Sequence, residues 1–150
     1  MTQKLLLAAA LAAIPLTAVA QGPAPAITPE QIVEARRAAY FLSGGSFAQM
    51  KATADAGGDV KGLVFPSRTL ARWARTLPTM FPEGSNVPPT KARPEVWSDR
   101  PGFEAAAAAY AEAAGRMAEA AQAGDREAFL ARWTEVRGAC GACHDSYRND

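Results

Sequence analysis

The sequence predicts an all-α protein that forms an antiparallel four-helix bundle. In three segments, apolar residues recur at alternating steps of four and three, the spacing of helices packed against other helices. Proline and glycine signals separate these segments from one another and from a more polar helical segment before them. No segment shows the alternation of apolar and polar residues that is typical of a strand. Four amphipathic helices of this kind are typical of a bundle.

The N-terminal residues 1–20 are typical of a secretory signal peptide. A lysine precedes an apolar stretch that ends in Ala18-Val19-Ala20, which resembles a cleavage site. Pro15 interrupts the stretch, which is short for a membrane span, so a retained anchor is the weaker alternative. We therefore predict export to the periplasm, no membrane attachment after cleavage, a flexible lead-in over 21–28 and one bundle domain over 29–150.

The first helix is predicted to begin at Pro29 and to run into the low fifties. Thr28 can cap it, Pro29 suits its first turn, and Gln31 completes a capping box. Gly44-Gly45 is a weak point that can bend it. The residues predicted for its inner side are Ile32, Ala35, Ala39, Leu42 and Phe47.

A second helix is predicted after the break at Gly57-Gly58-Asp59. Pro66 lies within its pattern, so its first turn is either separate or kinked. Its inner stripe comprises Leu63, Ser67, Leu70, Ala74 and Leu77. The following residues 78–100 hold five prolines. We predict a packed loop there, because it also contains the apolar residues Phe81, Val96 and Trp97.

The third helix is predicted to begin near Pro101, and Gly124-Asp125 to end it and cap the fourth. The stripe of the third comprises Phe103, Ala107, Tyr110, Ala114, Met117 and Ala121. The stripe of the fourth comprises Phe129, Trp133, Val136, Cys140, Cys143 and Tyr147. Because both cysteines lie on this stripe, we expect whatever they bind to face the bundle interior.

The strongest functional signal is Cys140-Gly141-Ala142-Cys143-His144, the C-x-x-C-H pattern of covalent haem c attachment. Each thiol can add across one haem vinyl group, and the adjacent imidazole can bind the iron. On a helix these three side chains share one face, so a flat macrocycle can make all three bonds together. The sequence therefore predicts a four-helix bundle with one covalently attached haem c, held by Cys140 and Cys143, with His144 as the metal ligand.

Other uses of the motif fit less well. A thioredoxin-like C-x-x-C follows a strand, whereas the residues before Cys140 have a helical pattern. A zinc site takes four ligands, and the chain has 2 Cys and 1 His in total. A disulfide within the motif would leave His144 without a role.

The charge of the chain gives no sign of nucleic-acid binding. The formal net charge is +1, and loss of Lys4 with the leader would bring it to 0. A neutral domain without a basic run has no bulk field to attract nucleic acid or an acidic membrane.

The residue counts also restrict the coordination of the iron. With 1 His in the chain, two histidine ligands are impossible. A methionine ligand would be Met50, Met80 or Met117, of which Met80 in the loop is the best candidate. The sequence favours an iron with one open position; the alternative is a six-coordinate, low-spin electron carrier with a methionine ligand. No second histidine offers a distal acid–base group, so we predict no enzymatic activity.

Four segments of this chain together match one family pattern. They are Arg36-Arg37-Ala38-Ala39-Tyr40, Phe81-Pro82-Glu83-Gly84-Ser85, Glu95-Val96-Trp97 followed by Phe103, and Cys140-x-x-Cys143-His144-Asp145-x-Tyr147-Arg148. In these four segments the chain resembles cytochrome c′, the high-spin class II c-type cytochromes, and the resemblance extends over nearly the whole domain. The second arginine of the first segment departs from the family, where that position is often Gln.

This resemblance implies a five-coordinate haem with His144 as its protein ligand and a small apolar pocket on the opposite face. Tyr40 falls where the family has its distal residue, and Arg148 where it has a basic residue beside the histidine. Without the resemblance, Tyr40 is an ordinary core aromatic and Arg148 merely complements a helix dipole. Arg36 and Trp97 are further candidates around the cofactor, although core packing accounts equally well for Trp97.

The implied ligands are NO and CO, with discrimination against O2, and the expected roles are NO sequestration and electron transfer with small redox proteins. Many members are homodimers built on their first two helices, so a homodimer is expected here. A bulky Tyr40 is expected to exclude polar ligands from the iron. Arg148 is expected to weaken the bond between iron and His144. Candidate partners of the haem propionates, which the sequence leaves undecided, are Thr69, Arg72 and Arg93.

Overall fold

A computed structural model describes residues 26–149 of the protein. The predicted signal peptide and most of the predicted lead-in lie outside these residues. The helices are α1 (Pro29–Asp55), α2 (Val64–Thr76), α3 (Glu95–Ser98), α4 (Arg100–Ala123) and α5 (Arg126–Tyr147). The four longer helices form the predicted antiparallel bundle, in which α4 packs most extensively against α2 and α5. Over 26–149 the only extended pairing is an isolated antiparallel bridge between Ala92 and Arg148.

Local signals at the helix ends act as predicted. The Thr28 hydroxyl accepts from the main-chain N–H of Gln31 at 3.3 Å, and the Gln31 side chain accepts from that of Thr28 at 2.9 Å. The Asp125 carboxylate caps α5 by accepting from the N–H of Ala128 at 2.9 Å. Gly124, between α4 and α5, has a φ of 76°, a left-handed conformation that glycine adopts without a steric cost.

The segment around Pro66 follows the first of the two alternatives. A separate 3₁₀ turn over Val60–Leu63 precedes α2. Pro66 then lies in the first turn of α2, where its missing N–H costs no helical hydrogen bond. The loop after α2 is packed, as expected, and contains a 3₁₀ turn over Leu77–Met80 and the single-turn helix α3.

The stripes predicted for α2, α4 and α5 face the core, but the inner side predicted for α1 is wrong in part. Phe47 packs against the core as predicted, whereas Ala35 and Leu42 do not. Leu42 is 76% exposed, whereas the buried residues of α1 are Val33, Arg36, Met50 and Ala54. The prediction failed because an arginine occupies an inward position, so the apolar residues of α1 do not mark its buried face. No helix in the described part of the chain is long and apolar enough to span a membrane.

Candidate haem site

One cavity of about 540 Å³ lies between α1, the loop before α4, α4 itself and α5. Its size is within the range of ligand pockets, roughly 300–1,000 Å³. Cys140, Cys143 and His144 of the C-x-x-C-H motif all line it. On α4 the wall includes Ala106 and Ala107, whose small side chains let a flat ligand approach the helix. The cysteines therefore face the bundle interior, as their stripe predicted.

Both cysteines are free and partly buried. Burial raises the pKa of the Cys143 thiol, and burial together with the nearby Cys143 raises that of Cys140. Thiols with raised pKa values stay protonated at neutral pH, whereas metal ligation and disulfide exchange require thiolates. This protonation state suits thioether formation, in which the S–H adds across a double bond.

His144 is exposed on the last turn of α5, and Arg148 lies beside it. A guanidinium nitrogen of Arg148 is 3.4 Å from Nδ1 of His144. Partial desolvation of the ring, and secondarily the charge of Arg148, lowers the pKa of His144, while Asp145 opposes the shift. The imidazole is therefore neutral at pH 7 and offers a lone pair to a metal. An arginine beside Nδ1 cannot accept its proton, so it does not raise the basicity of the imidazole as a carboxylate would.

Tyr40 lines the cavity from α1, together with Phe41, Gly44 and Phe47. Its ring meets that of Trp73 on α2 edge to face, with the centroids 5.5 Å apart. Burial is the main cause that raises the pKa of Tyr40, with a further contribution from Cys143. Its hydroxyl therefore stays a neutral phenol at physiological pH.

The charged side chains on the cavity wall are all basic: Arg36, Arg37, Lys91 and Arg148. Arg36 is only 2% exposed, although it carries a full charge. Of these, the sequence pointed to Arg36 and Arg148. It missed Arg37 and Lys91 as site residues. Nothing in a proline-rich loop marks which of its residues, such as Lys91, will turn toward a site.

Several candidates lie away from the cavity wall. Trp97 packs behind it, where its indole N–H donates to the carbonyl of Pro82 at 3.0 Å. Met50 and Met117 are buried in the core, and Met80, although partly exposed, does not line the cavity. The candidate propionate partners Thr69, Arg72 and Arg93 do not line the cavity either.

The residues present fit a covalently bound haem. Two protonated thiols one helical turn apart match its two vinyl groups, and a neutral imidazole matches its iron. The cavity is largely apolar and its charged wall is basic, which suits an apolar macrocycle that carries two carboxylates. Over residues 26–149, no group of three or more His, Cys, Asp or Glu residues could hold a metal ion instead.

A helical bundle whose C-x-x-C-H cysteines and histidine share one apolar cavity defines a c-type haem protein of the bundle class. The sequence model of the family described as cytochrome C′ matches residues 31–148, and the chain therefore belongs to the cytochrome c′ family. Its cofactor is accordingly a covalently attached haem c.

Relatives of known identity cover nearly the same span. The chain is 30% identical to cytochrome c′ of Rhodospirillum rubrum over 155 residues, 99% of each chain. It is 35% identical to that of Rubrivivax gelatinosus over 128 residues, 80% of this chain and 95% of the relative. The fold is similar to the nitric oxide complex of a mutant cytochrome c prime from Alcaligenes xylosoxidans, with a TM-score of 0.76 and 27% identity, covering 84% of this chain and 99% of that one.

Proposed function

We propose that the iron of this haem protein keeps one open coordination position and that NO and CO bind there. The observation that carries the proposal is the placement of the methionines. None of Met50, Met80 and Met117, the methionines in the described part of the chain, lines the cavity, whereas Tyr40 does. This supports the open site over the alternative of a six-coordinate carrier with a methionine ligand. The haem supplies an iron whose free position takes a small diatomic ligand.

Two side chains of the protein shape this chemistry. Tyr40 is a neutral, bulky group that restricts access to the cavity from α1. Arg148 stands beside the imidazole that would hold the iron, 3.4 Å from its Nδ1. The positive charge of Arg148 would disfavour imidazolate character in His144. This would weaken the bond that His144 makes to the haem iron and would help NO to displace the histidine.

Arg37 and Lys91 are the residues we propose as partners of the haem carboxylates. Both line the cavity and both are cationic, so they would complement the only charged groups at the edge of the macrocycle. Arg36 also lines the cavity, but its guanidinium is engaged by Ser85 and Thr90. Trp97 would then support the site from behind through its edge-to-face contact with Phe81, with the centroids 6.1 Å apart.

The optical spectrum of the ferrous haem-loaded protein, with and without CO, tests the proposal. An open iron gives a high-spin spectrum that changes on addition of CO. A low-spin spectrum with a methionine-type band, unchanged by CO, would mean that the iron is saturated. Replacing Met80 with Leu is the matched control, because it removes the best methionine candidate and should leave the spectrum unchanged.

Electron transfer is the second candidate function. The basic residues Arg37, Lys91 and Arg148 at the cavity favour an acidic redox partner, because opposite charges steer association. The rate of reduction by a small acidic redox protein should then fall as salt is added. A rate that does not depend on ionic strength would argue against docking at this surface.

We also propose that the protein is a homodimer built on α1 and α2. Leu42 of α1 and Phe65 of α2 are 76% and 80% exposed, and an interface built on these two helices would bury both side chains. Sedimentation equilibrium should show a dimer for the parent and a monomer for the Leu42→Glu, Phe65→Glu variant. A monomeric parent would contradict the proposal.

Export to the periplasm after cleavage at residue 20 remains a proposal from the sequence. The intact mass of the protein recovered from the periplasm should correspond to a chain that begins at Gln21 and carries one haem.

A further inference from the structure

The C-terminal end of α5 is held from outside the helix. The last carbonyls of a helix have no partner within it. Among those of α5, the carbonyl of His144 accepts from the N–H of Arg148 at 3.1 Å. Arg93 supplies two more donors: its guanidinium donates to the carbonyl of Asp145 at 3.1 Å, and its main-chain N–H donates to that of Tyr147 at 3.0 Å. Arg93 therefore caps the haem-bearing helix from a separate segment.

We name residues 90–93 the strap. On its far side, the N–H of Asn149 donates to the carbonyl of Lys91 at 2.8 Å, and Ala92 forms an antiparallel bridge with Arg148. Arg148 consequently leaves the helix in an extended conformation, with φ −129° and ψ 137°. From that fixed backbone its side chain reaches back to His144. The strap thus fixes the backbone position from which the Arg148 side chain extends to His144.

The strap is itself anchored at both ends. The guanidinium of Arg93 donates to both carboxylate oxygens of Glu95, at 3.3 and 3.2 Å. At the other end, the Thr90 hydroxyl accepts from the N–H of Ala92 at 3.1 Å and from the buried guanidinium of Arg36 at 2.6 Å. The strap therefore connects α1, on the Tyr40 side of the cavity, with the end of α5 on the His144 side.

We propose that Arg93 is a positioning residue for the haem iron: by capping α5 it keeps Arg148 beside His144. The proposal rests on the proposed role of Arg148 beside the histidine that binds iron. Partners in the outer shell of a metal ligand set its orientation and its basicity. The ion pair of Arg93 with Glu95 is largely exposed, with side-chain exposures of 37% and 44%, so it adds little to stability. The ion pair instead helps to hold Arg93 where it caps α5 and keeps Arg148 beside His144.

The midpoint reduction potential of the haem-loaded protein tests this through a double-mutant cycle. Arg148→Ala removes a positive charge near the iron, which favours the ferric form and lowers the potential. Arg93→Ala should also lower the midpoint potential, but it should have almost no further effect when Arg148 is already alanine. A direct effect of the Arg93 charge would be the same in both backgrounds and would overturn the proposal.

Arg100→Ala is the matched control. Arg100 also forms an ion pair, with Glu104, and donates to two loop carbonyls, those of Phe81 and Pro78. It makes none of these contacts with α5. Arg100→Ala and Arg148→Ala should therefore have additive effects on the midpoint potential. If they instead show a coupling as large as that of Arg93→Ala with Arg148→Ala, general loosening of the loop explains the effect of Arg93.

Amide hydrogen exchange supplies a readout that does not depend on the haem ligand. Arg93→Ala should make the Asn149 amide exchange about tenfold faster, because the end of α5 then opens locally more often. Unchanged exchange would overturn the proposal. Neither the potential nor the exchange requires an open iron, so a parent that fails to bind CO would refute the proposed gas binding and leave this test intact.

Discussion

Arg36 carries a buried charge that is satisfied entirely by neutral groups. Its guanidinium donates to the carbonyl and hydroxyl of Ser85, at 3.0 and 2.9 Å, and to the hydroxyl of Thr90 at 2.6 Å. The cation also lies 4.3 Å from the centroid of the Phe81 ring. Burial lowers the pKa of Arg36, but an arginine stays charged in proteins. A single side chain thus holds α1 against the loop.

Replacing Arg36 with Ala should lower the free energy of unfolding by about 2–4 kcal/mol, because buried acceptors lose their donor. Denaturant unfolding of the haem-loaded protein measures the change. Lys51, in the same helix but away from the cavity, makes a surface pair with Asp55, so Lys51→Ala should change stability by less than about 1 kcal/mol. Equal losses for the two variants would contradict this account.

Tyr40 controls access to the iron if it is the distal residue. Tyr40→Ala should speed CO association about tenfold or more, the effect of lowering a barrier by about 1.4 kcal/mol. Flash photolysis of the CO complex measures the rate. Leu42→Ala, two residues along α1 and not on the cavity wall, should leave the rate unchanged. If Tyr40→Ala also leaves it unchanged, Tyr40 is a core aromatic and not a gate.

The start of α4 and the end of α5 share one carboxylate. Asp99 caps α4 by accepting from the N–H of Gly102 at 3.2 Å, and it accepts from the Tyr147 hydroxyl at 2.7 Å. A side chain at Gly102 would collide with both the Asp99 carboxylate and the Tyr147 hydroxyl. The hydrogen bond between Asp99 and Tyr147 has room here because residue 102 has no Cβ.

Gly102→Ala should therefore destabilise the protein by about 1–2 kcal/mol, through loss of the cap and of the contact with Tyr147. Gly115, in the same helix, has open space around its Cα, so Gly115→Ala should stabilise by about 0.5–1 kcal/mol. Thermal or denaturant unfolding of both variants checks the contrast. A gain in stability at both positions would mean that helix propensity outweighs the contact.

The site lies where the two halves of the core meet. One apolar cluster is built around Phe129 and Met117, and the other around Phe103 and Phe81. Cys140 packs against the first cluster, Cys143 packs against the second, and Tyr110 contacts both. The two thiols proposed for haem attachment therefore lie where the two clusters meet, and a haem bound there would complete the core of the bundle.

The three tyrosines should make the folded protein lose stability at high pH. Burial raises the pKa values of Tyr40 and Tyr110, and the hydrogen bond to Asp99 is the main cause that raises that of Tyr147 to about 12. In the unfolded chain they ionise near pH 10. Their contribution to stability is thus fully present below about pH 10 and is lost as pH rises toward the folded values.

The melting temperature of the haem-loaded protein should accordingly fall between about pH 10 and pH 12. Tyr147→Phe should melt lower at neutral pH and show a smaller fall, because one titrating group is gone. A melting temperature that is constant over this range, or an equal fall in the variant, would contradict the shifted pKa values.

Short-range patterns were sufficient for the helices and the attachment motif. A capping box, a stripe such as Phe129 to Tyr147 and the C-x-x-C-H motif involve residues a few positions apart on one helix, whose geometry is the same in any fold. Tertiary contacts alone determine that Arg36 is buried, that Lys91 lines the cavity, that Trp97 stands behind it and that Arg93 caps α5. Arg36 and Thr90, for example, meet across 54 positions of sequence. Such contacts depend on how the chain packs as a whole, and no local spacing encodes them.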